Sequence, residues 1–544
     1  MGRGITHRVV FKGILTFDTA SHIGSGKASA ETDALLLRDG DDKIFIPGTS
    51  IGGVLRSRLE QLIGVAVGHQ ENIEDCKCLI CRLFGTAESG ASKIVVEDAY
   101  PTANIEFATA EYRDGVAIGR DTQTAREGAK YDQEIIPAGS TFDFELSLDL
   151  NDEGSEEEMM KIIYVGLEEL CSGRINIGGS TTLGLGRCRL DADKVDVYAL
   201  DFRDIRCLIP FLKGDDLNDL QEEYVTGYKD YFKELKDSVS FMNKPESHHR
   251  LELDFEIILE EGDLLVVKDG RYAFGDDPEI RFVRTKRWRA DKNGWVDVQF
   301  IPGGSFKGAL RNRAEQIIRT LVQDSKSACD PTKGKGGGCG KCAICEIFGF
   351  SKEEGEKGHK GRLSVEDAYP IREEEIQEKK FDFVAIDRFT GGALEKAKFD
   401  ARIATDGSFK SRVVVENPKL YELALIAHLF KDLYLKDIRL GYGKYKGFGK
   451  VKGILREIRL FQTRDDDGLI ADLNLTRMFP KTNGYWKRRG IWHTLTIPAE
   501  DFRNERDYKP LPKSSNLWTI IDKLDTAFNE FIKDELVRIG GGED

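Results

Sequence analysis

Two α+β domains in tandem, each on a mainly antiparallel sheet, are what this chain of 544 residues predicts. Three observations carry the prediction. Five motifs occur twice in the same order, at offsets between 255 and 269 residues. Strand-length apolar runs flank a late helix in each copy. A strand–turn–helix segment marks both copies. Two copies are too few for a solenoid, so each needs its own core.

The strand–turn–helix segment organises the rest. It reads Phe45-Ile46-Pro47-Gly48-Thr49-Ser50-Ile51-Gly52-Gly53-Val54-Leu55-Arg56-Ser57-Arg58, and again Phe300-Ile301-Pro302-Gly303-Gly304-Ser305-Phe306-Lys307-Gly308-Ala309-Leu310-Arg311-Asn312-Arg313. Proline fixes φ and stops the strand, glycine permits the turn, and Ser50 and Ser305 are expected to cap the helices. Gly53 and Gly308 leave room for another backbone at the first helical turn. N–H groups at a helix start, with Arg56 and Arg311 behind them, suit an anion such as phosphate.

Upstream, Val9 to Phe17 and Ala34 to Leu37 read as strands around the polar loop His22-Ile23-Gly24-Ser25-Gly26-Lys27. Downstream, Val96-Glu97-Asp98-Ala99-Tyr100-Pro101 recurs as Val365-Glu366-Asp367-Ala368-Tyr369-Pro370, and Val116 to Thr122 recurs as Val384 to Thr390. A Gly-rich segment closes each copy, with Gly178, Gly184 and Gly186 matched by Gly441, Gly447 and Gly449. The late helices are expected over Met159–Leu170 and Leu420–Leu433. The domains are expected at 1–202 and 250–455, a helical linker at 203–249 and an unrelated extension at 456–544, where Asp465 to Gly468 reads as a turn.

Hydrophobic content of 40% supports real cores, and no apolar run approaches the ~20 residues of a membrane span. The first residues lack the apolar region of a signal peptide and match the myristoylation pattern only loosely, and cysteines gathered in tight clusters argue for metal sites in a reducing cytoplasm. The net charge of −14 weighs against nucleic-acid binding, yet the acids cluster, as at Glu156–Glu158 and Glu373–Glu375. Two basic-aromatic stretches, Arg284-Thr285-Lys286-Arg287-Trp288-Arg289 in an inserted hairpin and Tyr485-Trp486-Lys487-Arg488-Arg489 in the extension, have the residues to stack a base and hold phosphate.

Seven of the ten cysteines lie in two clusters. His69 with Cys76, Cys78 and Cys81 makes one set of four ligands, and Cys329, Cys339, Cys342 and Cys345 make another. Thiolates and imidazole in fours suit tetrahedral zinc, and four protein ligands leave no open position, so two structural Zn²⁺ are expected. Cys171, Cys188 and Cys207 lack such partners and read as core residues.

Together the His-Ile-Gly loop, the aspartate before the second strand, the Ile-Pro-Gly-x-Ser-x-x-Gly-x-x-Arg turn, the cysteine cluster, the Glu-Asp-Ala segment and the final Gly-rich loop resemble the RAMP superfamily. More narrowly they resemble the backbone subunits of type III CRISPR effector complexes (the Cas-seven group), as fused double copies like those of types III-D and III-E. The resemblance covers about residues 5–200 and 250–455. It implies ferredoxin-like, RRM-related palms with protruding thumb hairpins and zinc-binding insertions. It also implies a guide RNA along the palms, a complementary single-stranded target RNA, and further effector-complex subunits as partners.

On that resemblance Gly53, Arg56 and Arg58 face guide phosphates in the first copy, and Lys307, Gly308, Arg311 and Arg313 in the second. Arg120 and Arg388 begin the thumbs. The family's cleaving aspartate corresponds to Asp33 in the first copy and to Asp276 in the second, with Asp277 beside it; both Asp33 and Asp276 stand in Asp-x4-Arg. The implied activity is endoribonucleolytic cleavage of the target by attack of its own 2′-hydroxyl, with a transient catalytic Mg²⁺. Two other readings fit the same residues: a non-catalytic structural subunit of that complex, and a zinc-stapled protein scaffold without RNA.

Overall fold

The computed structural model describes residues 4–30, 32–70, 76–102, 110–151, 154–213, 224–235, 247–270, 278–289, 291–324, 327–333, 337–351, 358–464, 472–473, 486–489, 491–498 and 523–534. The first repeat runs β1 (His7–Phe17), α1 (Gly48–Ile63), α2 (Leu79–Phe84), β2 (Ile94–Val96), the hairpin β3 (Glu111–Ile118) and β4 (Ala125–Ile135), β5 (Thr141–Leu150), α3 (Glu156–Cys171), β6 (Cys188–Leu190) and β7 (Asp196–Asp201). The linker supplies α4 (Ile205–Lys213), β8 (Val225–Gly227) and one turn, α5 (Tyr228–Tyr231).

The second repeat follows as β9 (His249–Leu259), an inserted hairpin β10 (Arg284–Arg289) and β11 (Gly294–Gln299), α6 (Gly303–Val322) and α7 (Ala343–Phe348). Short strands β12 (Gly349–Phe350), β13 (His359–Lys360), β14 (Leu363–Val365) and β15 (Tyr369–Pro370) lead to the hairpin β16 (Gln377–Ile386) and β17 (Ala393–Glu416), then to α8 (Leu420–Tyr434) and β18 (Lys452–Gln462). The extension adds β19 (Trp486–Arg489), β20 (Trp492–Pro498) and a helical stretch at 523–534.

Each repeat has its own antiparallel sheet, as expected of α+β domains. The first is ordered β2-β5-β1-β7-β8, with β6 also on β1; the second is β14-β17-β9-β18-β20-β19. Strand alternation puts Val9, Phe11, Leu15 and Phe17 of β1 on the face covered by α1 and α3, and Leu251, Leu253, Phe255 and Ile257 of β9 on the face covered by α6 and α8. Both late helices stand where their periodicity places them.

Two expectations change. Ala34–Leu37 is not a continuous strand: Ala34, Leu36 and Arg38 make isolated bridges to three different partners, Gln133, Gly24 and Ile44, because the segment crosses between the hairpin and the His22 loop. The linker is only partly helical, since β8 extends the first sheet. The extension joins the second sheet: β20 pairs with β18 and carries Trp492, 1% exposed, to the junction of the repeats. The Asp465–Gly468 turn and residues 214–223 and 236–246 of the linker lie outside the described residues.

The repeats interlock. The hairpin β3–β4 of the first lies on the second: Arg113 pairs with Asp367 at 2.8 Å and stacks over Phe300, Glu111 accepts from Thr285 Oγ1 at 2.6 Å, and Arg120 reaches Glu315 on α6 at 2.8 Å. Arg126 donates to the carbonyl of Thr332. The Gly-rich loop of the first repeat packs on the start of α6, where a Cβ on Gly184 would fall 2.5 Å from the carbonyl oxygen of Val365. At the same junction Glu169 binds Arg58 (2.9 Å), Arg174 (2.8 Å) and the Trp492 indole N–H (2.6 Å), while Arg250 pairs with Glu252 and Glu416.

Candidate functional site

The duplicated turns are the same object twice, and neither is capped by its serine. Pro47 and Pro302 are the N-cap residues, and no side chain of the helix's own cap bonds its first turn. The cap comes from the Glu-Asp-Ala motif instead: Asp98 accepts the N–H of Gly48, and Asp367 that of Gly303, each at 2.8 Å. A carboxylate there also satisfies the positive end of the helix dipole. The tight glycines are therefore the first ones. A Cβ on Gly48 would sit 1.9 Å from the carbonyl oxygen of Val96, and one on Gly303 2.2 Å from that of Val365. Gly53 and Gly308 meet nothing within 4 Å, so the helix surface around them is open. Ser305 and Gly53 are exposed and Ser50 is half-buried beside them.

Most of the arginines expected at phosphate turn inward. Arg56 donates to Glu60 (2.8 Å), the carbonyl of Gly85 (3.0 Å) and Cys81 Sγ (3.6 Å). Arg311 repeats this with Glu315 (3.1 Å), Gly349 (2.8 Å) and Cys345 Sγ (3.7 Å). Arg58 and Arg313 brace helix to helix, through Glu169 on α3 and Asp432 on α8. Arg120 is committed to Glu315. Its counterpart Arg388 is exposed at the tip of the second hairpin beside Phe389, which is 100% exposed. Lys307 is buried without a carboxylate partner among the described residues, and burial, with Arg311 and Lys360 nearby, pulls its amine down to about 7.

The metal-ligand sets assemble as expected. The donor atoms of His69, Cys76, Cys78 and Cys81 lie within 4.8 Å of one another, as do those of the four second-repeat cysteines. His69 Nδ1 is 3.3, 3.6 and 3.5 Å from the sulfurs of Cys78, Cys76 and Cys81, close to the edges of a tetrahedron with metal bonds of about 2.0–2.3 Å. Cys78 and Cys342 also start α2 and α7, and the Cys78 sulfur accepts the N–H of Cys81. His69 Nε2 faces Glu60 at 3.7 Å, a carboxylate behind a ligating imidazole. The donor sets thus fit Zn²⁺, and Arg56 and Arg311 tie each set to the helix of the duplicated turn.

Asp33 is exposed and stands in a mutual clasp with Asp132 on β4. The Asp33 N–H donates to Asp132 Oδ1 at 2.9 Å, and the Asp132 N–H donates to Asp33 Oδ2 at 3.0 Å. Glu134 holds the same loop through the N–H of Leu36 at 2.9 Å, and its carbonyl accepts from His22 Nδ1 at 2.7 Å. In the second repeat Asp276 and Asp277 lie outside the described residues. The bridges nonetheless define the counterpart of Asp33. Ala34 pairs in parallel with Gln133 as Ile280 does with Ala401, and Gly24 pairs with Leu36 as Lys268 does with Phe282. Glu279 therefore stands where Asp33 stands, and its N–H donates to Asp400 Oδ1 at 2.9 Å.

Sequence reasoning missed Asp98, Asp367, Asp132, Asp400, Glu279 and Glu315. The first two lay within a recognised repeat. Glu315, like Glu60, follows its arginine at i+4, a readable ion-pair spacing. Asp132 and Asp400 had no local signal, because their partners are about a hundred residues away in sequence.

Comparison with known proteins agrees with this duplication. A protein of Methanocaldococcus jannaschii named CRISPR system Cms endoribonuclease Csm3 is 30% identical over 254 residues, covering 44% of this chain and 92% of that protein. Proteins of the same name from Methanothermobacter thermautotrophicus (30% over 220 residues) and Enterococcus italicus (29% over 201 residues) match 34% of this chain and 84% and 90% of their own lengths. The RAMP superfamily pattern matches residues 14–189 and 291–452, one region in each repeat. Those two regions make up more than half of the chain, which therefore belongs to the RAMP superfamily as a tandem pair of its domains.

Proposed function

We propose that this chain is a guide-RNA-binding backbone subunit of a type III CRISPR effector complex and cuts complementary target RNA. The observation that carries the reading is an exposed acidic residue joined to each hairpin, Asp33 to Asp132 through both backbone N–H and carboxylate and Glu279 to Asp400 through its backbone N–H, in a chain similar to proteins named endoribonucleases. The order of strands and helices in each palm is read as ferredoxin-like, with the hairpins as thumbs.

The guide is placed over the open surface at Ser50 and Gly53 in the first palm, and over Ser305, Lys307 and Gly308 in the second. A phosphate beside Lys307 would restore the charge that burial takes from it. Arg388 is left for RNA or a neighbouring subunit. Arg56, Arg58, Arg120, Arg311 and Arg313 act through the fold, by fixing helix, zinc loop and hairpin.

Cleavage follows from positioning. A kinked target brings a 2′-oxygen in line with the adjacent phosphorus; the new P–O2′ bond forms as the P–O5′ bond breaks. The products are a 2′,3′-cyclic phosphate and a 5′-hydroxyl. Asp33 takes the 2′-hydroxyl proton and the departing O5′ gains one from solvent; a Mg²⁺, if held by Asp33, would offset charge on the phosphate oxygens. Purification of the full chain with its complex, followed by extraction and sequencing of bound nucleic acid, tests the reading: a short CRISPR-derived RNA is expected, and a complex free of RNA overturns it.

A further inference from the structure

The two basic-aromatic stretches remain unexplained by the guide track. They are about two hundred residues apart in sequence, yet Arg287 and Trp288 of β10 and Lys487 and Arg488 of β19 line one cleft of about 1490 Å³ between the repeats. None of the residues placed on the guide track, in the carboxylate pairs or in the metal sets lines it.

The cleft is electrically unbalanced. Its carboxylates already have partners: Asp18 binds Arg189 at 3.2 Å, Glu366 binds Arg187 at 3.0 Å, and Asp254 binds Arg459 at 2.9 Å. Asp191 pairs with Lys194 and Asp193 with Lys229; Asp367 is taken by Arg113, and Glu168 accepts from the Tyr228 hydroxyl. Four cations are left over. Lys410, Lys487 and Arg488 are exposed, and no carboxylate among the described residues pairs with them or with Arg287. In a chain of net charge −14, four cations converging from β10, β17 and β19, without a carboxylate partner among the described residues, form a local reversal of sign.

Aromatic surface accompanies the charge. The Arg287 guanidinium lies 4.4 Å from the centre of the Tyr369 ring, and half-buried Trp288 meets Trp295 edge to face at 5.6 Å. The volume exceeds the ~300–1,000 Å³ of small-molecule pockets, which favours a stretch of polymer over a metabolite. Cations in a groove with rings for stacking are what a single-stranded polynucleotide uses without base readout.

We propose that the cleft between the two repeats is a second RNA site, binding a single-stranded segment through phosphates on Arg287, Lys410, Lys487 and Arg488 and a base on Trp288. The test uses the full-length chain and a 4-thiouridine-containing oligouridylate, with photocrosslinked peptides mapped and affinity measured across a salt series. Crosslinks are expected in the β10–β11 hairpin or at β19. The triple variant Lys410→Glu, Lys487→Glu, Arg488→Glu is expected to lose them, to bind at least tenfold more weakly, and to show a salt slope shallower by about 2, at ~0.7 per phosphate contact.

Guide RNA should still co-purify with that variant, which separates failure of this site from failure of the guide reading. Crosslinks confined to α1 or α6, or an unchanged affinity in the triple variant, overturn the proposal. So does displacement of the RNA by oligo-aspartate at equal concentration, which would assign the cleft to an acidic protein partner.

Discussion

Asp98 accepts the N–H of Gly48 at 2.8 Å, and that one bond joins the two most recognisable motifs of the first repeat. Asp367 and Gly303 repeat it in the second, where Asp367 also takes Arg113 from the other repeat's hairpin. The Glu-Asp-Ala segment thus sets the start of the helix that lies behind the open glycine surface. Asp98→Ala should lower stability by about 1 kcal/mol, as loss of a helix cap does, and Asn should recover most of it. Asp367→Ala should cost more, since it also strands Arg113, whose side chain is only 10% exposed. Thermal or denaturant melts of the three variants check the order; equal losses for Asp98→Ala and Asp367→Ala would remove Asp367 from the junction.

The metal sites lead to a different measurement. Freshly reduced protein should contain about two zinc ions per chain, one for each closed ligand set. Cys78→Ser and Cys342→Ser should each remove one and destabilise their own repeat, because structural zinc contributes folding free energy directly. Arg56→Ala should keep its zinc but release it to a chelator about tenfold faster, as loss of a supporting contact to a ligand does. Release at the unaltered rate, with weakened guide binding, would return Arg56 to the phosphate role its sequence position suggested.

How far the sequence reached depends on how local the determining contacts are. The late helices, the inserted hairpin and both metal sets were legible, since periodicity and ligand spacing are properties of one stretch. The direction of the arginines was not. Arg56 and Arg58 sit two apart on one helix, and only the positions of Gly85 and Glu169 reveal that both turn inward. The structural counterpart of Asp33 in the second repeat was hidden for a related reason. Arg281 made Asp276 look like the match of Asp33, whereas the bridge of Ile280 to Ala401 sets the register three residues later, at Glu279. Serine capping failed because a carboxylate from another strand competed for the same N–H.

The junction should be sensitive to acid. Burial alone would raise the Glu169 carboxyl, but Arg174 and Arg58 outweigh it and hold the group at about 2. Glu252 is also held at about 2, with Arg250, Arg412 and Arg459 outweighing its burial. A folded-state value below the unfolded one, about 4.3 for glutamate, contributes stability that is complete above that pH and lost as pH falls toward 2. Tm should therefore drop through this window. Glu169→Gln should melt lower at neutral pH, leaving Arg58 and Arg174 less compensated, yet show a flatter Tm profile between pH 4.5 and 2. A profile as steep as that of the unaltered chain would place the acid sensitivity elsewhere.

Cleavage is the sharpest test of the two palms. Asp33→Ala should abolish one target cut, by about 10²–10⁴-fold in rate, while guide and target binding stay intact, because the carboxylate acts on the transition state more than on the bound RNA. Glu279→Ala should remove a second cut one repeat away, and Glu279→Asp should retain part of it, since Asp33 is proposed to do the same work with the shorter side chain. Asp276→Ala is the informative control: loss of the second cut there, with Glu279→Ala active, would assign the acid to the loop before Glu279. Asp132→Ala should slow the first cut and be less severe than Asp33→Ala, as Asp132 holds the Asp33 loop through its backbone N–H. Chelation of Mg²⁺ should suppress both cuts, and a 2′-deoxy sugar at either position should block that cut alone. Product bands that survive both acid substitutions would make the palms scaffolds and move the nuclease to another subunit.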